Sequence, residues 1–229
     1  FFLRSSTTMF LSTASVSAKR RLLNLSRTMT ASFFSGPPTK TYSPRHVHIL
    51  DKATEREKDL GRDLQDNEKI IFAAGCFWGI ELAFQRVPGV GETSVGYTNG
   101  HAKDPTYEAV CGGSTGHTEA VHVAFDRDVV QLKELLDLFW DIHDPTTLNQ
   151  QGNDVGTQYR SGIYYYSDQQ EKIIHESLKQ EQGRLVSPIV TEIVPASEFY
   201  VAEEYHQSYL KKGGQCSLKG DKTAIRCYG

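Results

Sequence analysis

The first fifty residues contain no aspartate and no glutamate, although the 229-residue chain holds 28 of them. Seven basic residues stand in that stretch: Arg4, Lys19, Arg20, Arg21, Arg27, Lys40 and Arg45. The net charge of the whole is −3, so a leader at +7 is followed by a body at −10. Residues 1–45 are rich in Ser, Thr and Arg, the composition of an organelle transit peptide. Such a leader addresses the protein to a plastid or mitochondrion. Translation from Met29 would leave it in the cytoplasm. A basic leader on an acidic body argues for an address and against a nucleic-acid surface. No run of apolar residues approaches the roughly 20 that span a bilayer as a helix, so no membrane role is expected. Cysteine is scarce as well. The four, at 76, 111, 216 and 227, form no C-x-x-C pair. That excludes the disulfide scaffold of a small secreted domain and the tetrad of a structural zinc site. No metal is expected, and the thiols point to chemistry in a reducing compartment.

Gly36-Pro37-Pro38 breaks structure. Residues 46–67 are highly charged and read as a solvated linker. The folded domain is expected over 68–229. Its centre is Gly75-Cys76-Phe77-Trp78-Gly79. The apolar run Ile70–Ala74 before it reads as a buried strand, and the spacing of Ile80, Leu82, Ala83 and Phe84 suits the inward face of a helix. Cys76 thus falls where a strand turns into a helix. Free N–H groups and the partial positive charge of a helix start favour a thiolate there.

Further along, the pattern predicts a strand over 90–97, a short helical turn over 107–111 and a strand over 119–125. A helix follows over 130–142 with a wide apolar stripe, then a long polar loop from Asp144 to Asp154. A strand over 161–166, a helix over 169–180, a strand over 189–194 and a helix over 200–210 complete the order. Residues 212–229, with four glycines, read as a mobile coil tail. There is no internal repeat. The expected fold is α+β: a two-layer, mixed sheet with packed helices, of the ferredoxin-like split βαβ kind.

A cysteine chosen at random is most often a small buried hydrophobe, but the helix-start setting of Cys76 favours reactivity. Phe77 and Trp78 could be plain core; beside a reactive sulfur they would also wall a small apolar pocket suited to a methyl or thioether group. Glu119 lies at a loop-to-strand junction, where burial would raise its pKa and make it a proton donor near neutrality. His117 competes for that role. Tyr97 and Tyr159 stand at strand ends where hydroxyls could bind a developing oxyanion, and Asp154 belongs to a donor-rich loop just before a strand. Cys216 and Cys227 could be spare thiols, or could reach Cys76 on the tail and condense with its sulfenic acid. Cys111, in no mobile setting, reads as structural. A second class of function stays open: a cysteine acyl-transferase or hydrolase using Cys76 with His117 or His206 and Asp154. A thiol or metal-binding module fits the cysteine spacing poorly.

The chain resembles the methionine sulfoxide reductase A family. The likeness rests on Gly75–Gly79, Gly96-Tyr97-Thr98, Gly116-His117-Thr118-Glu119-Ala120-Val121 and Phe139-Trp140 with His143-Asp144-Pro145. It continues through Gln151–Asp154, Gly156–Arg160 and Ala202–Gln207. It covers about residues 68–229, and the tail ending Ile225–Gly229 looks like the plant and algal branch. The resemblance implies that Cys76 attacks the sulfur of methionine (S)-S-oxide, free or in proteins. Glu119 would protonate the oxygen, with Tyr97 and Tyr159 hydrogen-bonding to it and Asp154 ordering them, while Phe77 and Trp78 hold the methyl group. It further implies a Cys76 sulfenic acid resolved by Cys216 or Cys227, and a disulfide reduced by thioredoxin or another dithiol. No bound cofactor would be needed, and a monomer is expected. Where this family carries a Gly-Tyr-Cys-Gly resolving segment, this chain reads Gly213-Gly214-Gln215-Cys216-Ser217. That leaves two orders of disulfide transfer: Cys216 first with Cys227 as relay, or Cys227 directly.

Overall fold

A computed structural model describes residues 42–226. In chain order the elements are α1 (Pro44–Asp59), β1 (Glu68–Ala74), α2 (Phe77–Gln85), β2 (Val90–Thr98), α3 (Tyr107–Cys111) and β3 (Thr118–Phe125). Next come α4 (Leu132–Ile142) and the two-residue strands β4 (Gln150–Gln151) and β5 (Asp154–Val155), then a 3₁₀ turn (Thr157–Tyr159) and β6 (Ser161–Tyr165). The last are α5 (Asp168–Gln182), β7 (Glu192–Pro195), β8 (Phe199–Val201) and α6 (Tyr209–Lys212).

One six-stranded sheet runs in the order β7-β6-β1-β3-β2-β8. Every pairing is antiparallel except β6 with β7, so the sheet is mixed and the fold is α+β as the sequence pattern implies. Strand β1 is a continuous apolar run because both of its faces are covered. Ile70 and Phe72 pack with Phe84, Leu135, Phe139 and Ile174, whereas Ile71 and Ala73 meet Ala120 and Tyr164 on the opposite face. Among the described residues no helix is long and apolar enough to cross a membrane.

Three segments differ from the sequence reading. The charged stretch after residue 43 is a docked helix, α1. Ser43 caps it by accepting the His46 N–H, Pro44 occupies its first turn, and His46, Ile49, Leu50 and Ala53 form a buried stripe. Burying Ile49 and Leu50 stabilises the docking by roughly 1.5–3 kcal/mol each. Arg45 pairs with Glu181 and Asp141, and Arg56 with Glu134, so the charges fasten the helix to α4 and α5.

Residues 200–210 are not one helix. Phe199–Val201 pairs along β2 instead, placing Tyr200 opposite Tyr97. The open edge of β2 needs partners for its backbone, and this demand overrides local helical preference. Gly96 permits the approach: a Cβ there would lie 2.3 Å from the Tyr200 carbonyl oxygen.

The tail is coil, but its described part is strapped down. Arg86, fully buried, donates from Nε to the Cys216 carbonyl at 2.8 Å, and from its other nitrogens to the Tyr42 hydroxyl and to Thr223. Gly220 donates its N–H to the Arg86 carbonyl, and Lys219 Nζ donates to the carbonyls of Gln85 and Val90. Lys222 pairs with Asp51 of α1, and Ile225 packs on Leu82, Ala83 and Leu210. Glycine content signals freedom in the chain; it carries no information about a buried arginine elsewhere that collects tail carbonyls. Cys227 lies outside the described residues.

Candidate active site

The β1–α2 junction sets the centre. Gly75 adopts φ +90°, and a Cβ on it would press within 2.7 Å of the Gln151 side chain, so both conformation and space require glycine. That turn places Cys76, partly buried, at the N-cap of α2.

Glu119 comes from β3, directly opposite Tyr97 of β2 in the antiparallel register, so the two side chains share a face of the sheet. Its carboxyl is buried, 2% exposed, and accepts the N–H of Phe77 at 3.1 Å. Phe77 is the first residue of α2, so Glu119 fills one of the helix's unpaired donors right beside Cys76. Three effects act on it there. Burial raises the Glu119 pKa, the Phe77 hydrogen bond lowers it, and the nearby Asp154 carboxylate raises it again. Burial wins, and the pKa stands at about 8. Glu119 therefore keeps a proton at neutral pH.

His117, the rival acid, is spent on structure. Its Nδ1 accepts the Gly100 N–H at 3.2 Å, and its Nε2 lies 2.7 Å from the Ala102 carbonyl. With Nδ1 accepting, Nε2 carries the proton and donates it. His206 is likewise occupied at Nδ1, which accepts the indole N–H of Trp78 at 3.2 Å. Neither histidine is arranged as the base of a cysteine hydrolase triad.

Tyr159 rides on the 3₁₀ turn, which Thr118 ties to β3 by donating to the Gln158 carbonyl at 3.0 Å. Arg160 anchors the other side, pairing with Glu192 and donating to the carbonyls of Gly116, Thr157 and Asn99. Burial pushes the Tyr159 hydroxyl up to about 12, with Glu119, Cys111, Asp154 and Cys76 adding to it. That hydroxyl remains a donor throughout the physiological range. Asp154, in β5, is partly buried, and burial raises its pKa. The same carboxylate raises the pKa values of both Glu119 and Tyr159, which puts it at their side of the pocket.

Tyr97 is fully buried, and its hydroxyl donates to Glu203 Oε2 at 2.9 Å. Phe77 is also core, with its ring centroid 6.0 Å from that of Tyr97 and 5.3 Å from that of His206. Trp78 is half-buried and stacks on Tyr209 at 4.0 Å. Together these rings make an apolar wall next to a proton-bearing acid and a cysteine at a helix start. Cys111 lies exposed at the end of α3; burial of its sulfur and neighbouring carboxylates raise its pKa, and Tyr107 pairs with it. It stays a thiol at neutral pH.

A model of peptide methionine sulfoxide reductase matches residues 68–225. The chain belongs to the peptide methionine sulfoxide reductase family. A rice protein named peptide methionine sulfoxide reductase A4, chloroplastic, is 58% identical over 176 residues, covering 75% of this chain and 67% of its own length. Another rice reductase, A2-1, is 60% identical over 158 residues, covering 69% and 84%. Among solved structures, reduced Mxr1 of Saccharomyces cerevisiae is similar at 40% identity with a TM-score of 0.62, covering 69% of this chain and 92% of that one. Methionine sulfoxide reductase A of Corynebacterium diphtheriae is similar at 38% identity and 0.59, covering 66% and 78%. Both rice relatives and the Corynebacterium diphtheriae protein carry the A-type name, and this is a reductase of the A type.

Three groups of this reductase escape a reading by motif role. Glu203 sits beside the pocket, although it had entered only through the family likeness of Ala202–Gln207; His206, weighed as a triad base, holds Trp78 instead. Arg86 and helix α1 organise the tail. Ser43-Pro44 followed by buried positions at 46, 49, 50 and 53 is the signal that could have revealed α1.

Proposed function

We propose that the chain reduces methionine (S)-S-oxide, free and in proteins, to methionine. The Cys76 thiolate attacks the sulfoxide sulfur while Glu119 gives its proton to the sulfoxide oxygen. Methionine departs, the oxygen ends on Cys76 as a sulfenic acid, and two electrons have passed from the cysteine to the substrate. Tyr97 and Tyr159 hydrogen-bond to the oxygen as it gains charge, and Asp154 orders that side of the pocket. Phe77 and Trp78 hold the methyl group. The observation that carries this reading is the buried Glu119, protonated to about pH 8 and hydrogen-bonded to the N–H that follows Cys76.

Cys216 or Cys227 then condenses with the sulfenic acid, forming a disulfide and releasing water. Thioredoxin or another dithiol reduces the disulfide, and no bound organic cofactor or metal takes part. The acid-free leader and the chloroplastic names of relatives support a plastid address. A fluorescent protein carrying residues 1–45 that stayed in the cytosol would contradict it.

Turnover with dithiothreitol and each epimer of a peptide methionine sulfoxide tests the reaction. Methionine is expected from the S epimer alone. Absence of methionine from both epimers would overturn the assignment, and equal rates would overturn the epimer preference.

A further inference from the structure

Tyr97 has one hydroxyl proton, and the structure shows it donated to Glu203, not held ready in the pocket. Glu203 is set by its backbone: Ala202, just before it, donates its N–H to the Val95 carbonyl at 2.9 Å. Its other oxygen, Oε1, accepts the N–H of Tyr107 at 3.0 Å, so the carboxylate bridges β2 and the start of α3. One turn on, the His206 ring is 2% exposed. It is enclosed by Tyr205 at 4.2 Å, Tyr107 at 4.4 Å, Phe77 at 5.3 Å and Trp78 at 5.6 Å.

An indole N–H can only donate, so His206 Nδ1 must present a lone pair to Trp78, and the proton of the neutral ring sits on Nε2. That Nε2–H is buried and has no hydrogen-bond partner. Glu203 Oε2 lies 3.9 Å from it, the same oxygen that Tyr97 occupies. A buried donor left unpaired is costly, and at 3.9 Å it stands about 0.7 Å beyond hydrogen-bond range of an oxygen already taken.

We propose that His206 and Glu203 form a hydrogen-bond handover that frees Tyr97: when the Tyr97 hydroxyl turns its proton to the substrate oxygen, His206 Nε2–H moves onto the Glu203 oxygen it leaves. The count of hydrogen bonds to Glu203 is then unchanged, and the orphaned donor gains its partner. Because His206 also holds the Trp78 indole, the exchange couples the oxygen side of the pocket to the methyl side. Both residues act through Tyr97 and Trp78, as positioning residues. The inference rests on the role given to Tyr97 above.

The test is a double-mutant cycle on the sulfoxide-reduction step, measured by single turnover in the full chain with Tyr97→Phe, His206→Asn and both. Asparagine keeps an acceptor for Trp78 and removes the Nε2–H donor. His206→Asn alone should slow the step about tenfold, the scale of one hydrogen bond, with the substrate concentration at half-saturation little changed. In the Tyr97→Phe background the same substitution should cost nothing further. Equal slowing in both backgrounds would overturn the handover while leaving the role of Tyr97 intact. An unchanged rate in Tyr97→Phe alone would overturn that role and the handover with it. Loss of substrate affinity with no change in the maximal rate would show His206 to be a wall of the pocket only, against the proposal.

Discussion

Cys76 and Cys216 stand at opposite ends of one nine-residue helix, and the two ends are built on opposite rules. At the start of α2, a buried acid beside the N-cap cysteine accepts the N–H of Phe77, and burial keeps the acid protonated. Past its end, Arg86 and Lys219 gather carbonyls and strap the tail in place. The first end is set for chemistry as it stands. The second holds the backbone of Cys216, one of the two thiols proposed to resolve the sulfenic acid. Ten residues at 1.5 Å per residue put Cys76 and Arg86 about 15 Å apart along the helix axis. Under the proposed reaction the two steps fall at different ends of the helix, so substrate reduction and thiol recycling are expected to respond separately to substitution.

Replacing Cys216 should divide the two ends most sharply. In Cys216→Ser, a single turnover should still yield about one equivalent of methionine, because Cys76 and Glu119 are untouched. Thioredoxin-driven cycling should fall to the rate that Cys227 can sustain. Cycling at the unaltered rate would remove Cys216 from the route and leave Cys227 as the direct resolving thiol.

A smaller effect is expected from the strap itself. Arg86→Ala leaves the carbonyls of Cys216 and Thr223 and the Tyr42 hydroxyl without their buried donor. The cost is about 3 kcal/mol, or a melting temperature lower by roughly 6–12 °C. Amide exchange over residues 215–223 should accelerate, whereas the single-turnover rate at Cys76 should stay within about twofold of the unaltered chain. A single-turnover rate that fell with the melting temperature would show that the two ends are not separable.

The sheet and the position of Cys76 at a strand-to-helix turn were legible in the sequence for the same reason: each is written in local chain. Ile70–Ala74 is continuously apolar because β1 is covered on both faces, and Gly75-Cys76 marks a turn that only glycine can make at φ +90°. Glu119 was legible as a candidate, but its advantage over His117 was not. That choice depends on Gly100 and Ala102, which occupy both nitrogens of His117 from across a loop. The same holds for Glu203, which looks like one more surface carboxylate until its oxygens are found on Tyr97 and Tyr107. Helix α1 and the strapped tail were misread because charge and glycine report on solvation and freedom averaged over a segment. Their docking hangs on a few buried residues, Ile49, Leu50 and Arg86, whose partners are distant in sequence.

The central claim is that Glu119 supplies the proton at Cys76, and the pH dependence of single-turnover sulfoxide reduction tests it most directly. The Glu119 pKa of about 8 lies above its ordinary 4.5, so the acid is present at neutral pH and is lost as pH rises through 8. The rate should fall about tenfold per pH unit above that point. In Glu119→Gln the rate should be lower by a factor on the order of 10²–10⁴, and the descending limb near pH 8 should vanish. A Glu119→Gln enzyme that keeps that limb, or an unaltered enzyme that lacks it, would contradict the assignment of Glu119 as the acid.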